Sequence, residues 1–358
     1  MNIMTVVPQA LISHDESLRF ATDCFVALGV SRIDSERSAL SLVEADLCGV
    51  DTHGIQRLPI YIGRLEKGLI NKAPNIRFDM TTPICGLTDG DNGLGFVVAQ
   101  SSMAKALEIS DEFGAAVLGV VNSTHFGMAR LYIEQAVRHG SAAIVMTNAS
   151  PSLPPWGAKK PVLGTSPLAI GFPGSCEKDH FLLDMAPSVA ARGKIRKAMR
   201  SGQSIPEGWA LDGDGKNTTD PARALEGVVL PIGGPKGSGI AMSLDLLCGV
   251  LTGAGFGGSV GDQFSVFDRP QNVGHFIITL KPDMFLSREM IEARMMEWVS
   301  TIRSADLADG FDRVFLPGQI ETENREQRKI TGIPYIRSDI EFLNEFAGPL
   351  NVRPLEFV

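Results

Sequence analysis

Basic residues are in short supply in this chain of 358 residues: 33 Lys and Arg stand against 41 Asp and Glu, and the formal net charge is -8. No long run of basic residues occurs along the sequence. A nucleic-acid partner requires clustered Lys and Arg to neutralise phosphates, so none is expected. The hydrophobic share of 44% is typical of an ordinary globular protein.

Cysteine and histidine patterns that bind metals or form disulfides are also missing. The five cysteines are odd in number, scattered and without a CxxC pair, which predicts reduced thiols. None of the six histidines stands in a metal-ligand spacing, and no metal site is predicted. The N-terminal sequence lacks the charged and apolar regions of a secretory signal, so the cytoplasm is the expected compartment.

Long apolar segments are missing as well. The least charged stretch, residues 237–260, contains Asp245 as its one charge, and its apolar centre is too short and too rich in glycine to span a bilayer. We expect a buried helix there and no membrane partner.

A dinucleotide fingerprint of the Rossmann type is not found in the required context. The one GxGxxG, residues 253–258, should follow a strand and open a helix. Residues 240–251 before it instead have helical spacing, which indicates a helix end followed by a glycine loop. Ahead of this helix, GGPKGSG (233–239) places Lys236 between glycines, which suits either a phosphate site or a tight turn with a solvated lysine.

The first chemically rich segment is GVDTHGIQR, residues 49–57, directly after a predicted helix at about 35–48. The spacing of four puts His53 and Arg57 on one face if this segment is helical. Arg57 can then hold a carboxylate while His53 exchanges a proton with a neighbouring hydroxyl or carbonyl. Pairing of Arg57 with Asp51 or with a helix C-terminus is the alternative.

A second candidate segment follows the apolar strand pattern at 115–121. A helical pattern at 128–139 and another strand pattern at 142–148 complete a predicted βαβ unit, whose first turn, NSTHFG, contains His125. A helix N-terminus disfavours the imidazolium and keeps such a ring neutral. Asp184 ends a further predicted strand and can contact a ribose or cap a helix, whereas residues 208–225 are predicted to form an exposed loop.

Six segments in order resemble the malate/L-lactate/ureidoglycolate dehydrogenase family, which includes sulfolactate dehydrogenases and reductases of cyclic imino acids. They are GVDTHGIQRLPIYIGRLEKGLIN, STHFGMARLYIEQA, PWGAKKPVLGTSPLAIGFP, LDMAPSVAARGKI, GGPKGSGIAMSLDLLCGVLTGA and DRVFLPGQIE. The resemblance implies an α/β fold with a non-Rossmann, NAD(P)-binding mixed sheet and a helical domain built from both chain ends. It also implies a homodimer.

The family's pattern further implies a division of the chain. Residues 1–78 would form an N-terminal helical part with the Thr-His-Gly motif, residues 79–280 an α/β cofactor-binding core, and residues 281–358 a part that packs back on the first.

The resemblance also implies roles for particular residues. Thr52, His53 and His125 correspond to catalytic positions, with either histidine as the acid-base group, and Thr52 replaces the family's usual serine. Arg57 and Thr165 correspond to substrate-binding positions, and Ser166 replaces an asparagine. The implied cofactor contacts are His125, Gly127, Asp184, Met185, Ala186, Pro235, Lys236 and Arg313.

The expected activity is hydride transfer between NAD or NADP and a small 2-hydroxy or 2-oxo acid of the malate or lactate type. An NADPH-dependent reductase of cyclic imino acids would use the same residues. A noncatalytic ligand-binding protein that retains the fold is the alternative from another class.

Overall fold

The computed structural model describes residues 9–357. Residues 1–8, on which part of the secretory-signal expectation and of the predicted segment 1–78 rests, lie outside the described residues. The helices, in chain order, are α1 (His14–Ala27), α2 (Arg32–Leu47), α3 (Leu58–Glu66), α4 (Gly95–Phe113), α5 (Arg130–Arg138), α6 (Arg192–Arg200), α7 (Pro221–Glu226), α8 (Pro235–Asp245), α9 (Arg288–Arg303), α10 (Gln319–Thr331) and α11 (Arg337–Ala347).

The strands complete the secondary structure. They are β1 (Gln9–Ile12), β2 (Arg77–Met80), β3 (Cys85–Asp89), β4 (Ala115–Ser123), β5 (Ala142–Thr147), β6 (Pro151–Leu153), β7 (Leu163–Gly164), β8 (Leu168–Phe172), β9 (Phe181–Met185), β10 (Ala210–Leu211), β11 (Asn217–Thr218), β12 (Val228–Val229), β13 (Val273–Leu280) and β14 (Ile333–Ile336).

A mixed seven-stranded sheet with the order β2-β3-β4-β13-β5-β8-β9 forms the centre of the fold. β4, α5 and β5 follow one another as predicted, but β13 lies between the two strands and is antiparallel to both. Neighbouring residues of β13 point to opposite faces of the sheet. Ile277 packs into the core beneath α4 and α5, and Phe276 packs with Leu244 of α8. Helices therefore cover both faces of the sheet.

The two ends of the described chain share another core. β1 pairs with β14 in antiparallel register, with Ile12 opposite Ile333. Residues of α1, α2 and α3 pack with residues of α11, such as Ile340, in one apolar cluster. α9 lies elsewhere: its Met295 and Val299 pack near β8 and β9 at the sheet edge.

Local signals explain most helix boundaries. The Ser13 side chain caps α1 by accepting the Glu16 N–H. α2 begins earlier than the predicted 35–48 because Ser31 caps it at Arg32. Residues 208–225, predicted as an exposed loop, instead contain β10, β11 and α7, which pack around Ala210 in a small cluster with Ile195 of α6.

The apolar stretch ahead of the GxGxxG segment is helical, as predicted. α8 continues into a π-helix at Leu246–Val250, and the GxGxxG segment follows as a loop in which Gly253, Gly257 and Gly258 have positive φ. Between residues 9 and 357, none of the helices combines the length and apolar character needed to cross a membrane.

Candidate active site

A cavity of 2510 Å³ brings together segments that are far apart in the sequence. The corner after α2, the turn after β4, the end of β9 and helix α6 all line it. Among the predicted site residues, the cavity wall contains Thr52, His53, Arg57, His125, Gly127, Thr165, Asp184, Met185 and Ala186.

The corner that contains Thr52, His53 and Arg57 is built around a buried carboxylate. Gly49 ends α2 with a φ of 82°, which favours glycine. The Asp46 carboxylate then accepts the Ile55 N–H at 2.8 Å and the Tyr335 hydroxyl at 2.9 Å. A Cβ at Gly54 would lie 1.6 Å from Asp46 Oδ1, so only glycine fits there.

Burial changes the chemistry of this carboxyl group. It raises the pKa of Asp46 to about 8, although the hydrogen bonds from Ile55 and Tyr335 oppose the shift. Asp46 therefore stays largely protonated at neutral pH and holds the corner without adding a full charge beneath it.

The two candidate histidines stack face to face, with ring centroids 5.6 Å apart and an interplanar angle of 20°. Thr52 Oγ1 lies 3.0 Å from His53 Nδ1. Burial, followed by the charge of Arg57, lowers the pKa of His53 to about 3. The His53 ring is therefore neutral in the unliganded protein.

His125 is held by Tyr61, a residue that the sequence analysis did not select. The Tyr61 hydroxyl lies 2.7 Å from His125 Nδ1, and the Gly127 N–H donates to the same nitrogen at 3.3 Å. Nδ1 is therefore an acceptor, and the proton of the neutral ring is on Nε2. Burial, and then the neighbouring His53 and Arg57, hold the pKa of His125 well below its usual value.

Tyr61 lies four residues after Arg57, on the next helical turn, and this spacing was the available sequence signal. Burial raises its pKa well above 10, so the phenol keeps its proton. The hydroxyl thus donates to Nδ1 of the neutral His125 ring, and it accepts from Nδ1 only when that nitrogen is protonated.

Arg57 lines the cavity and forms no ion pair with a carboxylate of residues 9–357. Its Nε donates to Thr52 O at 2.6 Å, and its guanidinium lies 4.9 Å from the ring centroid of Phe264. Nη1 is buried and has no hydrogen-bond partner within the described residues. The alternative pairing with Asp51 does not occur, because Asp51 contacts Arg328 at 2.9 Å.

Asp184 lines the cavity and bonds to the start of α5, not to the helix that follows it in the sequence, and its contact with a ribose stays a prediction. Its Oδ2 accepts the Arg130 N–H at 2.8 Å, at the beginning of α5. Desolvation raises its pKa to about 6 against this hydrogen bond. Met185 and Ala186 continue the wall from β9.

The remaining predicted cofactor contacts lie outside the cavity wall. Pro235 and Lys236 form the first turn of α8, and neither lines the cavity. Arg313 makes a two-pronged ion pair with Glu323, at 2.8 and 2.7 Å. The structure therefore brings the histidines, Arg57 and the β9 end together, but not these three residues.

The chain as a whole matches a known enzyme family. The family model described as malate/L-lactate dehydrogenase matches residues 12–344. The chain belongs to this family. Its fold and the dehydrogenase chemistry of 2-hydroxy acids follow from that membership, and the protein is an oxidoreductase.

Individual relatives agree with the family match. The L-sulfolactate dehydrogenase of Methanocaldococcus jannaschii is 38% identical over 322 residues, which are 89% of this chain and 91% of the relative. The solved structure of sulfolactate dehydrogenase from that organism has a TM-score of 0.90 at 36% identity and covers 96% of this chain and 98% of its own.

More distant relatives are reported with other activities. The ureidoglycolate dehydrogenase (NAD(+)) of Escherichia coli K12 is 33% identical over 316 residues, which are 88% of this chain and 89% of the relative. The structure of delta1-piperideine-2-carboxylate reductase from Pseudomonas syringae has a TM-score of 0.81 at 26% identity and covers 94% of this chain and 99% of its own.

Proposed function

We propose that this protein transfers hydride between NAD or NADP and a small 2-hydroxy or 2-oxo acid of the malate or lactate type. The observation that carries the proposal is the buried, unpartnered Nη1 of Arg57 beside the stacked rings of His53 and His125. A guanidinium in this state suits a carboxylate, and an adjacent imidazole suits the hydroxyl or carbonyl next to it.

The substrate carboxylate would bind Arg57 and thereby weaken its repulsion of the imidazolium forms. Because Arg57 is one of the causes that lower both histidine pKa values, anion binding raises them. One ring can then exchange a proton with the substrate oxygen. His125 and His53 are both candidates, and Tyr61 can stabilise either protonation state of His125 by donating or accepting.

The cavity suits a dinucleotide beside the acid. Its volume of 2510 Å³ exceeds the roughly 300–1,000 Å³ of ordinary small-molecule pockets. Gly127, Asp184, Met185 and Ala186 would hold the cofactor, and Thr165 would contact the substrate or the nicotinamide. The nicotinamide supplies or accepts the hydride when it is bound.

We further propose a cytoplasmic homodimer with the non-Rossmann organisation implied by the family: residues 1–78 and 281–358 flanking a cofactor-binding core at 79–280. The free thiols of Cys24 and Cys176 support the cytoplasmic assignment. The insertion of β13 between β4 and β5 supports the non-Rossmann organisation. Exposed Leu246, Leu251 and Phe256 beyond α8 offer apolar surface to a second copy. Analytical ultracentrifugation would test the dimer.

A steady-state screen with pyruvate, oxaloacetate and a cyclic imine, each with NADH and NADPH, tests the function. Arg57→Gln should raise KM for every 2-oxo acid by about 100-fold or more, because the carboxylate loses a charge-assisted contact. Arg288→Gln, which removes an exposed arginine on α9, is the matched control. Wild-type protein without turnover of any acid or imine would overturn the proposal.

Reduction of cyclic imino acids is the second candidate, and the structural similarity to the piperideine-carboxylate reductase favours it. Faster reduction of pyrroline-2-carboxylate than of pyruvate and oxaloacetate would assign the protein to that activity.

A further inference from the structure

Helix α6 presents an unusual concentration of positive charge to the cavity. Its sequence RGKIRKAMR contains no acidic residue, and its five basic side chains all belong to the cavity wall. Ile195 anchors the helix by packing with Ala210 and Val229 in the small cluster beside the sheet. The helix also approaches the corner after α2, where a Cβ on Gly193 would lie 2.7 Å from Thr52 Cγ2. The positive charge therefore lies beside the proposed substrate site.

Arg196 is the member of α6 that shares a neighbour with Arg57. Its guanidinium lies 5.9 Å from the ring centroid of Phe264, and that of Arg57 lies 4.9 Å from the same centroid. The Arg196 side chain makes no hydrogen bond or ion pair within residues 9–357. Arg192, one turn earlier, is already fixed, because it donates to Leu225 O at 2.6 Å. Arg196 is thus a second guanidinium near Phe264 without a side-chain partner in the described chain, and it differs from Arg57 in being exposed on the cavity wall.

The nearby Asp262 opposes the lowering of the pKa of Arg57 through its charge, but it forms no ion pair with Arg57 or Arg196. Asp262 accepts the backbone N–H groups of Phe264 and Ser265 at 2.9 and 3.0 Å. It forms no ion pair within 4.0 Å with an arginine of the described chain. The charge of Arg196 also contributes, after burial, to lowering the pKa values of Arg57 and Arg192, so these cations repel one another. An anion with charge at both ends would relieve that repulsion.

The upper limit on the separation of the two guanidinium groups is compatible with a short diacid. Two guanidinium carbons near one ring centroid, at 4.9 and 5.9 Å, are at most about 11 Å apart. A four-carbon diacid places its carboxyl carbons about 4 Å apart, and each lies about 4 Å from a guanidinium carbon that it contacts, for a reach of about 12 Å. A monoacid on Arg57 would leave Arg196 unpaired.

We propose that Arg196 binds the second acidic group of the substrate and selects 2-oxo diacids, either dicarboxylates or carboxylate-sulfonates, over monoacids. This inference rests on the proposed function, in which Arg57 binds the first carboxylate. Arg196 is then the residue that determines specificity between malate-type and lactate-type substrates.

The test compares kcat/KM for oxaloacetate, 3-sulfopyruvate and the monoacid 2-oxobutyrate, with NADH and NADPH, in wild type and three variants. Arg196→Gln should lower kcat/KM for both diacids by about 10- to 100-fold, as expected for one lost charge-assisted contact, and change 2-oxobutyrate by less than about twofold. Arg196→Lys should recover part of the kcat/KM for the diacids that Arg196→Gln loses, because lysine keeps the positive charge. The recovery should be incomplete, because lysine lacks the paired hydrogen-bond donors of the planar guanidinium. Lys216→Gln removes an exposed charge from the same small unit and should match wild type.

Several results would contradict the assignment. An equal loss for monoacid and diacids in Arg196→Gln would indicate a structural role, and a loss confined to NADPH would indicate contact with a cofactor phosphate; either overturns the inference. Wild-type protein that reduces 2-oxobutyrate as well as the diacids overturns the inference and leaves the proposed function standing. Wild-type protein inert toward every 2-oxo acid and imine overturns the proposed function and the inference with it.

Discussion

Thr52 connects three parts of the site through three different atoms. Its carbonyl oxygen accepts Arg57 Nε at 2.6 Å, and its hydroxyl lies 3.0 Å from His53 Nδ1. Its methyl group faces Gly193 of α6, where an added Cβ would lie 2.7 Å away. The methyl that distinguishes this chain from the serine of the family pattern therefore contacts the helix that contains Arg196.

We expect Gly193→Ala to lower kcat/KM by about 10-fold, because the new methyl group must displace Thr52 or α6, and small misplacements at a reacting centre are costly. Thr52→Ser alone keeps the hydroxyl and should have an effect below about threefold. The double variant should recover most of the activity, since serine removes the opposing methyl group. Steady-state kinetics on all three variants gives the coupling, and strictly additive losses would contradict the contact.

Tyr61 gives a second prediction at the residue scale. Tyr61→Phe removes the hydroxyl 2.7 Å from His125 Nδ1, and we expect kcat to fall about 10- to 100-fold with KM for the acid nearly unchanged, because Arg57 still binds the carboxylate. Tyr132→Phe removes another buried phenolic hydroxyl, which bonds to Phe126 O, and gives the stability scale for such a loss. A Tyr61→Phe protein with raised KM and normal kcat would contradict the positioning role.

At the scale of elements, the corner between α2 and α3 depends on the protonation of one carboxyl group. The folded pKa of Asp46 is about 8, against 3.8 for the ordinary group. The unfolded chain therefore loses this proton near pH 4 and the folded chain near pH 8, so the folded state binds more protons in between. The contribution of Asp46 to the unfolding free energy accordingly falls as pH rises through this window.

Asp46→Asn should remove that pH dependence, because the amide keeps an oxygen for the Ile55 N–H and the Tyr335 hydroxyl but does not ionise. Relative to the variant, wild type should lose at most about 1.4 kcal/mol of unfolding free energy per pH unit between about pH 4 and pH 8. Urea titrations at pH 5, 7 and 9 measure this, with Asp79→Asn, an exposed aspartate of β2, as the control. Parallel pH profiles of wild type and Asp46→Asn would contradict a protonated Asp46.

Local sequence signals predicted the helices and strands better than they predicted which of these elements lie side by side in the fold. Periodicity and apolar runs placed α2, β4, α5 and β5 within a few residues, because these signals act along the chain. They could not place β13 between β4 and β5, since that pairing joins residues more than a hundred positions apart and depends on tertiary packing.

The same difference between local signals and long-range contacts explains which parts of the site could be predicted from the sequence. His53, Arg57 and His125 lie in turns at element ends, and the cavity brings them together. Arg313, which was predicted to contact the cofactor, bonds to Glu323 in the folded chain. Arg196, which was not predicted, lies near the Phe264 ring. Contacts of this kind depend on how distant segments pack, for which composition and spacing contain no signal.

At the scale of the whole molecule, buried arginines join helix α10, near the C-terminal end of the described chain, to the α/β core. Arg130 of α5 donates to Gly318 O at 2.8 Å and to Thr322 Oγ1 at 2.6 Å. Arg325 of α10, only 4% exposed, bonds to Glu134 of α5 and to Glu177. The cavity has walls from both regions, so these contacts help to set its width.

Arg325→Met should lower the unfolding free energy by about 3 kcal/mol, because Glu134, only 5% exposed, loses its buried partner and keeps Arg138 and the more distant Arg130. Adding Glu134→Leu should restore part of this stability, since it removes the carboxylate that lost its buried partner, while Arg130 keeps its bonds to Gly318 O and Thr322 Oγ1. Arg138→Met, which removes a largely exposed partner of the same glutamate, should cost no more than about 1 kcal/mol. Denaturant titrations of the four proteins test the order. If Arg138→Met were as damaging as Arg325→Met, the burial of the Arg325 contact between α10 and α5 would not explain the loss of stability.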